Sequence, residues 1–418
     1  VFSLDLTGGE PLLREDIAEI LRHCNDLDID VGLATNGVVK REKVDMLAHV
    51  WDQKKTVHVS VDASTPEKFY QITGSTRFYE VLDCTKALLE YDLDVIWNFV
   101  CTPENKEDLQ SVCRLASTLG VQKMFVLPVI GVGRARTCLT FEELQTILIH
   151  FIEIQKEYPT IRMRLTPATP LDFLVPLLEA GWDQQKILRY YPYARTPLQD
   201  NKFREIRDIG CIGGVGRWAI NAEGDVFPCE LLAGEPTMMC GNLLKDSFDT
   251  CLAMCSSCLD VNLEEIGNCA ACRYADVCGG GCRARAFAHY RSLYAVDPLC
   301  PFNPCNISEE LSKNKPDVKV QERQWETFSL KIGSTLLRVR KEDFGGTVYI
   351  PGREQQIYVN EDGYTLVKIL LKTQDVQEII KELKKENRYI TEKYVEDFLN
   401  ELAESVRGAT ARSGSKDE

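Results

Sequence analysis

Leu4-Asp5-Leu6-Thr7-Gly8-Gly9-Glu10-Pro11-Leu12-Leu13-Arg14-Glu15-Asp16 joins an apolar strand to a glycine turn and then to a helical pattern. Two glycines let a ligand approach the backbone with no Cβ in the way. Glu10 offers a carboxylate to an ammonium group, and Pro11 stiffens the turn. Taken alone, the segment also suits a tight βα turn with no ligand. Outward from it, the same alternation repeats. Strands are expected at 2–6, 30–35, 56–61, 94–100 and 122–128. Between them, Ile17, Ile20, Leu21 and Cys24 fall on one helical face, as do Leu109, Val112, Cys113 and Ala116. Repeated βα units imply parallel strands, in an open sheet or a barrel, and in a barrel chemistry sits at the C-terminal strand ends.

The chain has 418 residues, enough for two or three domains. It is 44% hydrophobic and 27% charged, with a net charge of −14, which argues against a broad nucleic-acid-binding face. No apolar run approaches membrane-spanning length and no signal peptide is visible. The expectation is a cytoplasmic protein with neither nucleic acid nor membrane as partner. Seventeen cysteines argue for metal ligation over a disulfide framework. The first residues are strand-like with no initiator Met, so a missing N-terminal segment is expected.

Seven of those cysteines follow a fixed spacing. Cys211 is followed by twelve residues, Gly224, four residues and Cys229; then come Cys269-x2-Cys272-x5-Cys278-x3-Cys282 and, after a gap, Cys300. Thiolates so spaced can converge on a soft metal centre. Zinc is the plainer alternative, since C-x2-C pairs also make zinc ribbons. Cys24, Cys84 and Cys113 are expected to pack in the core. Cys101, Cys138 and Cys305 have no evident partner. From residue 330 the pattern changes to strands near 336–340, 347–350 and 356–359, followed by three helices. Asp375-Val376-Gln377-Glu378 is close to a capping box, and Val376, Ile379, Ile380 and Leu383 form a stripe. Val395, Phe398, Leu399 and Leu402 form another. The tail after Arg407 reads as disordered.

These segments resemble radical S-adenosylmethionine (SAM) enzymes. LDLTGGEPLLRED is similar to their second strand and GGEP loop. LATNG (33–37), SVDAS (60–64) and PVIGVGRA (128–135) fit later positions, and Cys211–Cys300 resembles the SPASM auxiliary-cluster domain. The implied fold class is α/β: a partial (β/α)6-type barrel lacking its first βα unit, plus a Cys-rich SPASM domain and a small winged-helix-like α+β domain. The boundaries are 1–157 (truncated barrel), 158–210 (connection, with a helix at 171–178), 211–305 (SPASM), 306–329 (linker), 330–407 (peptide recognition) and 408–418 (tail). The family's CX3CX2C motif, which holds the SAM-cleaving [4Fe-4S] cluster, has no match here. The chain as given is therefore expected not to cleave SAM, and the third cluster is assigned to the intact protein.

The resemblance implies that Gly8, Gly9 and Glu10 bind the methionine amino group of SAM. Ser60 and Asp62 would face its carboxylate or ribose; alternatively they cap the helix beginning at Pro66. Asn98 points into the barrel mouth or sits in a satisfied hydrogen bond. Cys269, Cys272, Cys278 and Cys300 would hold one auxiliary [4Fe-4S] cluster, and Cys211, Cys229 and Cys282 the other. Arg217 stands where some members add a ligand. That leaves an open iron site, a bound water, or a fourth thiolate from Cys240, Cys251, Cys255 or Cys258. Glu230 is a candidate base beside Cys229, or simply a solvent-facing side chain. LRVRKEDFGG, IYVN, DGYTLVKILL and DVQEII resemble the peptide-recognition element of ribosomal peptide maturation systems, whose best-known relative is the peptide chaperone of pyrroloquinoline quinone biosynthesis. Such modules bind a leader peptide as an added strand. A DNA-binding winged helix is the alternative, disfavoured by Asp375, Glu378, Glu382, Glu386, Glu392, Glu396 and Asp397. The implied function is modification or crosslinking of a precursor peptide by a 5′-deoxyadenosyl radical, with a reductant such as flavodoxin or ferredoxin. The alternatives are a non-catalytic leader-binding scaffold, or a SPASM enzyme acting on a protein residue or a small molecule.

Overall fold

The computed structural model describes residues 3–51, 55–131, 138–166, 168–183, 186–187, 211, 213–302, 327–332, 335–342, 345–350, 357–385 and 391–410. Residues 132–135 of the PVIGVGRA segment, Cys305, nearly all of the expected linker and the last residues of the tail lie outside them. The chain divides into two compact units: Val1–Pro167 with Pro176–Tyr191, and Ala168–Val175 with Pro192–Glu418.

The first unit is built on six parallel strands in sequential order: β1 (Ser3–Leu6), β2 (Asp30–Thr35), β3 (Lys55–Ser60), β4 (Val95–Cys101), β5 (Lys123–Pro128) and β6 (Arg162–Leu165). Parallel neighbours need crossovers, and helices supply them: α1 (Ile17–Asp26), α2 (Arg41–Val50), α3 (Pro66–Thr73), α4 (Phe78–Glu90), α5 (Leu109–Leu119) and α6 (Phe141–Glu157). Leu109, Val112, Cys113 and Ala116 are all buried, as their spacing required, and of the α1 set only Ile20 is not fully buried. The expectation of five strands is corrected to six. Arg162–Leu165 lies in the stretch read as a connection.

Strand residues alternate in burial. Val57 and Val59 of β3, Trp97 and Phe99 of β4 and Met124 and Val126 of β5 are all buried on one face. Asp5, Gly32, Thr56, His58, Ser60, Asn98, Phe125 and Arg164 share the other face by register. These residues are only partly buried or exposed and most are polar, while Ile96 on the same face of β4 is fully buried.

The second unit contains the Cys-rich segment. Its elements are a helix, α7 (Leu174–Glu179, which crosses the boundary between the units), and a three-stranded antiparallel sheet of β7 (Ala219–Ile220), β8 (Asp225–Phe227) and β9 (Gly241–Asn242). Three further helices follow: α8 (Phe248–Cys258), α9 (Ala275–Cys278) and α10 (Arg283–Tyr290). The C-terminal part is a four-stranded antiparallel meander, β10 (Thr327–Ile332), β11 (Thr335–Glu342), β12 (Gly345–Tyr349) and β13 (Ile357–Asn360). It is followed by α11 (Glu361–Ile369), α12 (Val376–Lys385) and α13 (Glu392–Thr410). Three strands were expected here; β10 is the fourth. Leu337, Val339, Val348, Val359, Ile379, Leu383, Val395, Phe398 and Leu402 share one apolar core. Asp375 Oδ1 caps α12 by accepting from Glu378 N at 2.9 Å. Glu378 completes the turn through Thr373 Oγ1, which donates to its Oε2 at 2.6 Å.

Candidate functional site

In the first unit the expected residues gather at the C-terminal ends of the strands, where parallel sheets place their ligands. Gly8 has φ +124°, a backbone that strains any residue with a Cβ, and a Cβ at either Gly8 or Gly9 would meet nothing within 4 Å. The loop therefore borders open space. Glu10 turns its carboxylate inward: Oε1 accepts from Leu12 N at 3.1 Å and Thr35 Oγ1 at 2.9 Å, and Oε2 accepts from Asn36 N at 2.8 Å. A carboxylate has about four acceptor positions, so one remains for a ligand. Glu10 thus ties the loop after β1 to the loop after β2. Gly37, which closes that second loop, has φ +73°, and a Cβ there would lie 2.8 Å from Val81 Cγ1.

Ser60 ends β3 on the open face, in register with Asn98. Asp62 Oδ1 accepts from Val100 N at 2.8 Å, while Oδ2 has no hydrogen-bond donor among the described residues. Burial pushes the Asp62 carboxyl up to about 6, opposed by the Val100 bond. Neither residue caps the helix at Pro66. Thr65 does, accepting from Lys68 N through Oγ1, and Asp108 holds Ser64 through both carboxylate oxygens. Asn98 Oδ1 meets His58 Nδ1 at 3.3 Å, and His58 Nε2 meets Thr56 Oγ1 at 3.2 Å. His58 lies 5.6 Å from the Phe125 ring, over which Arg164 stacks at 5.3 Å. Sequence reasoning missed His58 and Arg164. Their signal was a polar residue in strand alternation, His58 with Thr56 and Ser60, Arg164 with Arg162.

In the second unit the seven thiols fall into two groups. Cys211, Cys229 and Cys282 belong to one apolar cluster with Phe227, Leu259 and Phe287. Burial raises the Cys229 thiol above its ordinary value, and Glu230, Cys211 and Cys282 raise it further. Cys282 is pushed up to about 12 by burial, with Arg285 opposing. Cys269, Cys272, Cys278 and Cys300 line a single pocket with Leu171, Val175, Tyr274, Val296 and Phe302. Burial pushes Cys269 to about 11 and Cys278 to about 12, with neighbouring thiols adding to both. Such thiols ionise when a cation compensates them. Backbone N–H groups point at three sulfurs: Gly213 N at Cys211 (3.4 Å), Tyr274 N at Cys272 (3.5 Å) and Arg285 N at Cys282 (3.4 Å). Among the described residues no group of three or more His, Cys, Asp or Glu is arranged to hold a single metal ion. Four sulfurs around one pocket, with the Tyr274 N–H aimed at Cys272, are the donor type that an iron–sulfur cluster takes.

A third thiol group stands apart. Cys240, Cys251 and Cys255 are buried with Val226, Cys258 packs against them, and Cys240 donates to Cys258 Sγ at 3.6 Å. The thiols that act on Cys240 are Cys255, Cys258 and Cys251, whereas those that act on Cys229 are Cys211 and Cys282. Glu230 is exposed and paired with Arg217 at 2.8 Å. Cys84, Cys101 and Cys113 are buried, each pushed up to about 12 by burial, and Cys24 is buried too. Cys138 is exposed.

A buried charge network, also missed from sequence, ties the thiol loops together. Asp297 takes Arg285 Nε on Oδ1 and Nη2 on Oδ2, both at 2.7 Å, and Arg285 Nη1 donates to Asp172 at 2.6 Å. Asp297 Oδ2 also accepts from Cys282 N at 2.6 Å, and its carbonyl accepts from Cys300 N at 2.9 Å. One residue thus holds a thiol loop of each group. Arg283, fully buried, donates to the carbonyls of Leu293 and Ala295 at 2.7 Å and to that of Gly280.

Residues 3–116 match the Radical SAM superfamily model. The AdoMet-dependent heme synthase of Methanosarcina barkeri is 29% identical over 308 residues, 72% of this chain and 82% of that protein. A probable GTP 3′,8-cyclase of Saccharolobus islandicus is 33% identical over 143 residues, 34% of this chain and 45% of that protein. Among solved structures, Streptococcus suis SuiB bound to S-adenosylmethionine is similar in fold. Its TM-score is 0.54 at 18% identity, covering 72% of this chain and 66% of that one. SuiB bound to its precursor peptide SuiA gives 0.54 at 17% identity, with 72% and 65% covered. This chain thus spans about two thirds of the length of SuiB. The match to the Radical SAM superfamily model over residues 3–116 takes in the first four parallel strands, β1 to β4, and the glycine loop at the end of β1.

Proposed function

We infer that this chain belongs to a radical SAM enzyme that modifies a ribosomally made peptide, with two auxiliary [4Fe-4S] sites in its Cys-rich part. The observation that carries the reading is the gathering of Cys269, Cys272, Cys278 and Cys300 around one pocket. These four would hold one cluster; Cys211, Cys229 and Cys282 would hold the other. When bound, SAM and its clusters supply the one-electron chemistry that the side chains lack.

The chain's own residues bind and orient. Gly8 and Gly9 leave the backbone open to the methionine end of SAM, and Glu10 offers its remaining acceptor position to the ammonium group. Asp62 Oδ2 suits a ribose hydroxyl, and Ser60 lies beside it at the strand end. The thiol pocket has apolar walls at Leu171, Val175, Val296 and Phe302, and its four cysteines are half-buried. Arg217 holds Glu230 at the surface, so a base at Glu230 requires that pair to open. The C-terminal meander leaves the outer edges of β10 and β13 unpaired among the described strands. An unpaired edge supports addition of a leader peptide as a further strand.

Iron and acid-labile sulfide after anaerobic reconstitution test the first part; about eight of each per chain is expected for two cubanes. Zinc without charge-transfer absorption would refute it. The second part is tested by fluorescence anisotropy with a short peptide encoded beside the gene. Binding should vanish when alternate backbone amides of that peptide are N-methylated, and binding that survives would reject strand addition. A second reading, chemistry on a tetrapyrrole, is favoured by the alignment to a heme synthase over 72% of the chain. A tight spectral titration with heme, alongside no peptide binding, would prefer it.

A further inference from the structure

Arg283 has no exposed surface, and its Nε has no hydrogen-bond partner. Its Nη1 and Nη2 reach only neutral carbonyls, those of Leu293, Ala295 and Gly280. Among the described residues it forms no ion pair. A fully buried guanidinium without a carboxylate is costly, and natural chains retain one where a counter-charge completes it. Asp297 does not serve, because its carboxylate is taken by Arg285 and by the Cys282 and Leu299 amides. The placement of Arg283 indicates what does. Its Nη2 bonds the carbonyl of Gly280, a residue that lines the pocket with Cys269, Cys272, Cys278 and Cys300. Four thiolates outweigh the cationic core they hold, so the filled pocket is anionic.

We propose that Arg283 is the built-in counter-cation of the cluster held by Cys269, Cys272, Cys278 and Cys300 and raises its reduction potential. This rests on the cluster reading above. Adding an electron makes the site more negative, and a fixed cation favours that form. Arg283 contacts no substrate, so it acts as a positioning residue through the field at the cluster.

The test is an anaerobic redox titration of the reconstituted full chain, followed by electron paramagnetic resonance, with the signal assigned by its loss in Cys278→Ser. Arg283→Gln keeps hydrogen bonding to the carbonyls but removes the charge. The reduced-to-oxidised ratio of this cluster at a fixed potential should fall at least tenfold, a shift of 59 mV to lower potential for one electron. Arg283→Lys should remain within threefold of wild type, and the signal of the Cys211, Cys229 and Cys282 site should move less than this one. If Arg283→Gln fails to load iron, loading restored by Arg283→Lys supports the proposal. Equal failure of both variants overturns it, because shape rather than charge is then required. A fully loaded Arg283→Gln with unchanged potential also overturns it. A wild-type chain that holds no cubane sinks the cluster reading itself, and the inference with it.

Discussion

Replacing Asp297 with Asn should loosen the Cys282 loop and with it the thiol group of Cys211, Cys229 and Cys282. Asp297 is 1% exposed and receives two bonds from Arg285, one from Cys282 N and one from Leu299 N. Asn keeps the size but loses the charge, and its amide turns a donor toward donors on one side. Removing one partner of a buried pair costs about 3–5 kcal/mol, because the other charge stays buried. Here Arg285 retains Asp172, so the lower end of that range applies. For a domain of this size each kcal/mol shifts the midpoint by roughly 2–4 °C, so thermal unfolding should move down by on the order of 10 °C. Circular dichroism under anaerobic conditions reads it. Iron should fall first from the Cys211, Cys229 and Cys282 group, since the Asp297 side chain anchors Cys282 N, whereas Cys300 N bonds the backbone carbonyl that Asn retains. A double-mutant cycle with Arg285→Met should be strongly non-additive. A melting shift under 2 °C, additive costs, or iron lost only from the Cys269, Cys272, Cys278 and Cys300 group would refute the argument.

Asp62 gives a pH test. Its folded value is raised by burial to about 6, so its stabilising contribution is complete below the ordinary carboxylate range and is lost as pH rises through 6. Asp62→Asn should therefore gain on wild type by on the order of 1–2 kcal/mol between pH 4 and 7 in urea titrations; a constant difference would contradict this. Iodoacetamide at pH 8 should modify Cys138 quickly and leave Cys84, Cys101 and Cys113 untouched in peptide mass spectra, since burial holds those three up at about 12. Replacing Cys240 and Cys258 together by Ala should leave iron content unchanged while Cys278→Ser removes about four iron per chain. Iron lost in the double variant would make the third thiol group a ligand source.

The sequence was most legible where chemistry is local. The x2 and x5 spacings keep Cys269, Cys272 and Cys278 within one short segment, and that segment lines one pocket. Helix faces were readable for the same reason, because i, i+3 and i+4 neighbours meet whatever else the chain does. β6 was not legible: Arg162-Met163-Arg164-Leu165 is short, and its two arginines read as loop. Its register explains them, since Arg164 pairs with Phe125 on the open, polar face. β10 alternates Phe328, Leu330 and Ile332 with polar residues, but its first half falls inside the polar stretch 306–329 that reads as a linker. The Asp172–Arg285–Asp297 triad had no local signal at all, because Asp172 and Arg285 are 113 residues apart.

That triad is an expensive way to hold two loops. Buried ion pairs of this kind add little stability over an apolar filling of equal volume. Their retention is better explained by what apolar side chains are unable to do. A leucine at 297 would fill the space but accept nothing from Cys282 N or Leu299 N, and both amides would lose their partner. Asp297 also blocks the space beside Gly281, where any Cβ would fall 2.6 Å from its Oδ2, so the glycine run before Cys282 packs directly on the carboxylate. The same residue's carbonyl accepts from Cys300 N. The distance between a ligand of one thiol group and a ligand of the other is therefore set by a single side chain and its own backbone. The two groups behave as one mechanical unit, and the charge buried between them is the cost of that rigidity.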